Sequence, residues 1–81
     1  MDELRSFEEF VTHHVRPDPE RNVQCMLLWT EWVRYYMKET RNFPQHVMEK
    51  RFFEMVAETY GVPVAIEDRR GPVYLGLRFV S

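Results

Sequence analysis

Basic side chains in this sequence occur at points where they could contact phosphate. Arg69 and Arg70 stand next to Gly71, a residue that lets the backbone approach a partner closely. Guanidinium groups donate paired hydrogen bonds that match phosphate oxygens, so this segment is suited to phosphate contact or to insertion into a groove. Because Glu67 and Asp68 precede the arginines and partly neutralise them, a solvated turn without a ligand is an equal alternative.

A second group of polar and basic side chains lies between residues 45 and 51. Gln45 and His46 can hydrogen-bond to base edges, and Lys50 and Arg51 follow within the next turn of a predicted helix. The N–H groups and the positive dipole end of such a helix also attract phosphate. The alternative is an ordinary solvent face on which Lys50 and Arg51 pair with Glu54.

Two further bases, Arg34 and Lys38, occupy the second half of a long predicted helix. Bases at this position complement the helix dipole. They could also hold a phosphate backbone, so both interpretations stay open.

Length and composition limit what the chain can be. Its 81 residues, 44% hydrophobic and 15% aromatic, describe one small domain with a dense aromatic core. The net charge is −2, yet residues 1–20 hold six acids and two bases, while the remainder holds nine bases and seven acids. Residues 21–81 are therefore mildly basic, which is compatible with a nucleic-acid partner but does not require one.

Catalytic, metal and cofactor sites are not predicted. Cys25, the only cysteine, lies in an apolar stripe as a buried structural thiol would, and it excludes an internal disulfide. Glu9 and His13 have the spacing of two ligands on one helix turn, but zinc needs more ligands than these. No apolar run approaches the roughly 18 residues of a membrane span. We expect a cytoplasmic protein that is not an enzyme and has no membrane partner.

Hydrophobic periodicity predicts three helices followed by a two-stranded hairpin. The predicted bounds are 6–15, 20–40 and 46–60 for the helices and 62–79 for the hairpin. Ser6 and Glu9 have the spacing of a capping box at the start of the first helix, and Gly61 marks the end of the third. In the hairpin, apolar residues alternate from Val73 to Phe79, which predicts one inward face.

The second predicted helix is rich in aromatic residues that could form either a core or a stacking surface. Exposed rings could stack on single-stranded bases. A core is favoured, because a chain of this size has no other source of comparable apolar area. The stripe consists of Trp29, Trp32, Tyr35 and Tyr36. A second apolar stripe predicts that this helix is packed from both sides; it consists of Val23, Met26, Leu27, Val33 and Met37.

The element order and several residue patterns together resemble a known family. The patterns are Leu28-Trp29-x-x-Trp32-x-x-Tyr35, Pro44, Phe52-Phe53 and Arg69-Arg70-Gly71-x-x-Tyr74-x-Gly76-Leu77-Arg78. Over roughly residues 6–80 they resemble the winged helix of the regulatory-factor-X type and the related C-terminal domain of viral and phage primase-helicases. The resemblance implies an α+β winged-helix fold whose third helix and basic hairpin, the wing, contact DNA, and it adds Arg78 to the contact residues.

Two functions follow as expectations. The first is a DNA-binding domain of a replication or transcription-regulatory protein, which contacts double-stranded DNA through the third helix and the wing. The second is a winged-helix module for protein interaction or dimerisation, in which the acidic first helix and exposed aromatic residues form the contact surface. The predicted nucleic-acid-binding residues are Gln45, His46, Lys50, Arg51, Arg69, Arg70, Arg34, Lys38 and Arg78.

Overall fold

The computed structural model describes residues 2–67 and 69–81, which form three helices and one three-stranded sheet. The elements are α1 (Glu3–His14), β1 (Val15–Gln24), α2 (Cys25–Thr40), α3 (Glu49–Tyr60), β2 (Val64–Glu67) and β3 (Gly71–Phe79). The strands are antiparallel and lie in the order β1-β3-β2. An α+β fold with three helices and a C-terminal hairpin is therefore confirmed, whereas the predicted layout with only two strands is wrong.

β1 is the element that the sequence pattern does not reveal. Pro17 and Pro19 interrupt the helical periodicity, which predicts a break between two helices. In the structure, β1 pairs with β3 through residues 15–17 and 22–24, and the register shifts between them at a bulge, residues 18–21. Because β1 is an edge strand, prolines are tolerated there. As a result α2 begins at Cys25 and not near residue 20.

An irregularity in β3 changes which of its side chains face the core. Gly76 has a φ of +84°, a conformation that other residues rarely adopt, and it lies opposite the bulge of β1. Tyr74 before it and Leu77 after it are both fully buried, so inward positions are three residues apart here instead of two. The predicted alternation is thus broken, and Tyr74 rather than Leu75 packs in the core.

The core is built around aromatic rings of α2 and α3. Trp32 stacks on Phe52 with ring centroids 5.2 Å apart, and Trp29 meets the same ring at 5.6 Å in an edge-on arrangement. Trp29, Trp32 and Tyr36 are buried, while Tyr35 is partly exposed. The prediction that the aromatic stripe of α2 forms the core is confirmed for its three buried members.

Three members of the other apolar stripe of α2 face solvent, whereas Val33 packs against the core. Met26, Leu27 and Met37 are 42%, 41% and 44% exposed. The buried member of that stripe, Val23, belongs to β1 and not to the helix. The prediction that α2 is packed from both sides is therefore wrong, because the sheet and the other helices cover one side of it only.

α1 begins earlier than the capping-box spacing predicts. Asp2 is the N-cap, and its Oδ1 accepts a hydrogen bond from the Arg5 N–H at 2.8 Å. Ser6 is fully buried, and its hydroxyl accepts a hydrogen bond from the Trp32 indole at 3.2 Å. Ser6 therefore satisfies a buried N–H donor of the core and does not cap the helix.

Candidate nucleic-acid interface

Two tyrosine hydroxyls show how α3 lies on the sheet. Tyr74 of β3 donates to the carbonyl of Phe53 at 3.0 Å, and Tyr60 in the last turn of α3 donates to the carbonyl of Val15 at 3.0 Å. Val15 in turn pairs with Phe79, at the end of β3. α3 therefore runs in the same general direction as β3, and its first turn lies toward the hairpin tip that precedes β3.

The hairpin tip carries Arg69 and Arg70, both exposed. Glu67, the last residue of β2, pairs with Gly71, the first residue of β3, and Gly71 has a φ of +69°, a conformation that glycine adopts readily. Arg70 lies 3.9 Å from the Glu67 carboxylate. This exposed pair contributes at most about 1 kcal/mol, so Arg70 can exchange the carboxylate for a phosphate. Asp68, part of the predicted turn, lies outside the described residues.

The first turn of α3 presents two exposed bases in different environments. The helix begins at Glu49, three residues later than predicted, and has no side-chain cap at its N-terminus. Arg51 lies 3.4 Å from Glu54 and 3.6 Å from Glu58, as on an ordinary solvent face. Among residues 2–67 and 69–81, Lys50 has no ion-pair partner. Lys50 is therefore the more available cation of the two.

A buried carboxylate, not recognised from the sequence, holds the turn before α3. Glu3 of α1 accepts hydrogen bonds from the backbone N–H groups of His46 at 2.9 Å and Val47 at 2.7 Å, and it lies 2.9 Å from His46 Nδ1. Burial alone would raise the pKa of Glu3, but the hydrogen bonds from Val47 and His46 outweigh burial and lower the pKa. Gln45 and His46 thus lie in an anchored turn, with exposed side chains, and not in the first turn of α3.

Arg34 and Lys38 lie apart from the hairpin tip. They border a small cavity together with Phe79, which ends β3 on the side away from the tip. Arg34 is 3.4 Å from the Glu31 carboxylate. The structure therefore groups these two predicted contact residues with each other and separates them from Arg69 and Arg70.

Arg78 projects from the outer face of the sheet. Its neighbours Leu77 and Phe79 both pack against the core, so Arg78 points away from the helices. The guanidinium is exposed and lies 3.9 Å from the Asp18 carboxylate, and the cross-strand neighbour of Arg78 is another base, Arg16. Arg78 does not share a face with the first turn of α3.

A groove of about 490 Å³ between α1 and α3 is lined by acidic side chains, in contrast to the basic residues of the hairpin tip. Glu8 and Glu58 border it, and Leu4, more than half exposed, forms part of its wall. Carboxylates repel phosphate, so this side of the domain is unsuited to nucleic acid.

The chain matches no protein-family model, no curated protein and no solved structure. What the domain can bind therefore follows from the arrangement of its own side chains.

Neither a cluster of metal-ligating side chains nor a membrane-spanning helix is found in the described residues. No group of three His, Cys, Asp or Glu side chains in residues 2–67 and 69–81 is placed to hold a metal ion. Within the same residues, every helix is too short or too polar to traverse a bilayer. Cys25 is fully buried, as predicted, and burial raises the pKa of its thiol to about 11.

Proposed function

We propose that the chain is a DNA-binding winged-helix domain that contacts the duplex through the first turn of α3 and the hairpin tip. The observation that carries this proposal is that α3 runs alongside β3, with its first turn toward the tip. Both segments present exposed bases: Lys50 and Arg51 in α3, Arg69 and Arg70 in the tip. Contacts from a helix and from a neighbouring hairpin could then engage one duplex together.

The first turn of α3 is suited to approach nucleic acid. An α-helix fits the major groove, which is about 12 Å wide. Because α3 has no side-chain cap, its first N–H groups have no side-chain acceptor among the described residues, and they can donate to phosphate. Glu3 acts as a positioning residue in this proposal, since it ties the turn before α3 to α1.

The charge of the proposed surface supports phosphate contact of modest strength. Its four bases are accompanied by Glu49, Glu54 and Glu67, so the excess of positive charge is small. Binding that depends on a few phosphate contacts is expected to weaken steeply with salt. We therefore expect contacts mainly to the DNA backbone, with Gln45 as the nearest candidate for a base edge.

The test is a fluorescence-anisotropy titration of a labelled duplex at several salt concentrations between about 50 and 200 mM. Replacing both Arg69 and Arg70 with alanine should weaken binding and reduce the salt slope by about 0.9 for each phosphate that these side chains neutralise. Arg5→Ala is the matched control, because Arg5 is an exposed arginine of α1 that lies 3.5 Å from Glu9. Absence of duplex binding at the lowest salt, or equal slopes for the double variant and the wild type, would contradict the proposal.

A second function, protein interaction or dimerisation, is favoured by one observation. Ile66 and Val64 in the edge strand β2 are 83% and 43% exposed. An exposed apolar edge strand is a surface to which another chain can add. Light scattering over a range of concentrations tests this function: a mass above that of the monomer that Ile66→Thr abolishes would support it, and a monomer throughout would count against self-association.

A further inference from the structure

A small cavity lies where α1, α2 and the end of β3 meet, on the side away from the hairpin tip. Its volume is about 250 Å³. Aromatic rings and charged groups line it together, among them His14, Tyr35, Phe79, Glu31, Arg34 and Lys38. None of these residues belongs to the first turn of α3 or to the hairpin tip, so the cavity is separate from the surface proposed for DNA.

The rings that line this cavity are already held in place. Phe79 stacks on His14 with centroids 6.0 Å apart, and Tyr35 meets His14 edge-on at 6.1 Å. His14 Nδ1 lies 2.9 Å from the carbonyl of Val80, whose N–H donates to the His14 carbonyl at 2.7 Å. Because a carbonyl only accepts, Nδ1 carries the hydrogen of this contact. The Tyr35 hydroxyl donates to Glu9 at 3.2 Å, which fixes the third ring.

The charged part of the lining comes from one face of α2. Arg34 and Lys38 are four residues apart, so their side chains lie on neighbouring turns of the same helix face. Lys38 has no ion-pair partner within residues 2–67 and 69–81. Arg34 is 3.4 Å from Glu31, which also borders the cavity. An exposed pair of this kind is weak, so an anion that contacts both bases can displace Glu31 from Arg34.

We propose that this cavity binds a small planar aromatic anion, with the ring against Tyr35 and Phe79 and the charged group between Arg34 and Lys38. Pockets for drug-sized ligands measure about 300–1,000 Å³, so the smaller cavity here fits a single ring with one charged group. Aromatic walls favour a planar ring, and the two bases favour an anion. A pyrimidine mononucleotide and an aryl carboxylate share this chemistry.

Chemical-shift titration of the full ¹⁵N-labelled chain tests the proposal. The probes are uridine 5′-monophosphate, uridine, inorganic phosphate and benzoate. We expect uridine 5′-monophosphate or benzoate to shift the signals of His14, Tyr35 and Phe79 and to bind at least about tenfold more tightly than uridine or phosphate alone. The anion that binds more tightly shows whether the ligand is a pyrimidine mononucleotide or an aryl carboxylate. Equal binding of phosphate or uridine alone, or no saturable shift with either aromatic anion, overturns the proposal.

Variants of the charged lining provide a test with opposite expected signs. Lys38→Ala removes one cation and should weaken binding of the better probe about three- to fivefold. Glu31→Gln removes the competitor for Arg34 and should tighten binding about threefold. Arg21→Ala removes an exposed base of β1 that does not line the cavity; it is the control and should leave binding unchanged. Weaker binding by Glu31→Gln, or an equal reduction for Arg21→Ala and Lys38→Ala, would show that the anion does not lie between Arg34 and Lys38.

Discussion

The Glu3 carboxylate lies 2.9 Å from the backbone nitrogen of His46, although the two residues are 43 positions apart in the chain. The same carboxylate accepts the N–H of Val47 at 2.7 Å. Hydrogen bonds from N–H groups to a carboxylate are stronger than those to a neutral acceptor. The first turn of α1 thus fixes the backbone immediately before α3, which is the helix proposed to contact DNA.

Replacement of Glu3 with glutamine is expected to destabilise the domain by about 2 kcal/mol, because a neutral amide replaces a buried charged acceptor of several hydrogen bonds. Urea unfolding measures this change as a lower midpoint at an unchanged slope. Glu8→Gln is the matched control, since Glu8 is an exposed glutamate of the same helix. A midpoint equal to that of the wild type, or an equal decrease in the control, would show that Glu3 does not anchor the turn.

The contribution of Glu3 should also depend on pH. The pKa of Glu3 in the folded domain is lower than the ordinary value of 4.5, so its stabilisation is present above that value and is lost as the pH falls through the folded pKa. The difference in unfolding midpoint between the wild type and Glu3→Gln should therefore shrink as the pH falls below 4.5. Thermal unfolding of both proteins across this range measures it. A difference that stays constant down to the lowest pH would contradict the lowered pKa.

Local sequence patterns predict the helices of this domain well but not its long-range contacts. The spacing of Trp29, Trp32 and Tyr36 predicts their common burial, because helical periodicity is a local property. No local sequence pattern predicts the hydrogen bonds between Glu3 and His46, because they depend on how α1 packs beside the turn before α3. The sequence pattern does not predict β1 for a related reason. Pro17 indicates a break between helices, and the segment is a strand only because it pairs with β3.

The sequence alone likewise does not predict which of the candidate contact residues lie on the same surface. Lys38 and Arg69 are both exposed bases, yet one borders the cavity beside Phe79 and the other lies at the hairpin tip. The direction of α3 along β3 decides which bases share a surface, and the contacts of Tyr74 and Tyr60 establish that direction.

Cys25 is expected to be unreactive in the folded domain. It is fully buried beside Tyr74, and a thiol pKa of about 11 leaves little thiolate at neutral pH. Modification by an aromatic disulfide reagent should be at least about 100-fold slower in buffer than in denaturant. An absorbance assay with and without urea measures both rates. Rapid modification of the folded chain would mean that the start of α2 opens readily.

The two bases in the first turn of α3 should contribute unequally to DNA binding. Arg51 lies near Glu54 and Glu58, so a phosphate has to compete with two carboxylates for it, whereas Lys50 has no ion-pair partner in the described part of the chain. Lys50→Ala should therefore lower duplex affinity and reduce the salt slope by about 0.9, and Arg51→Ala should have a smaller effect on both.

Removal of the two carboxylates near Arg51 should abolish this difference between Lys50 and Arg51. In the variant with Glu54→Gln and Glu58→Gln, the affinity for DNA is expected to rise, and Arg51→Ala in that background should now reduce the salt slope as much as Lys50→Ala does. The same anisotropy titrations measure all of these variants. If Arg51→Ala weakens binding of the otherwise unchanged chain more than Lys50→Ala does, the carboxylates do not restrain Arg51 and the duplex approaches α3 from another side.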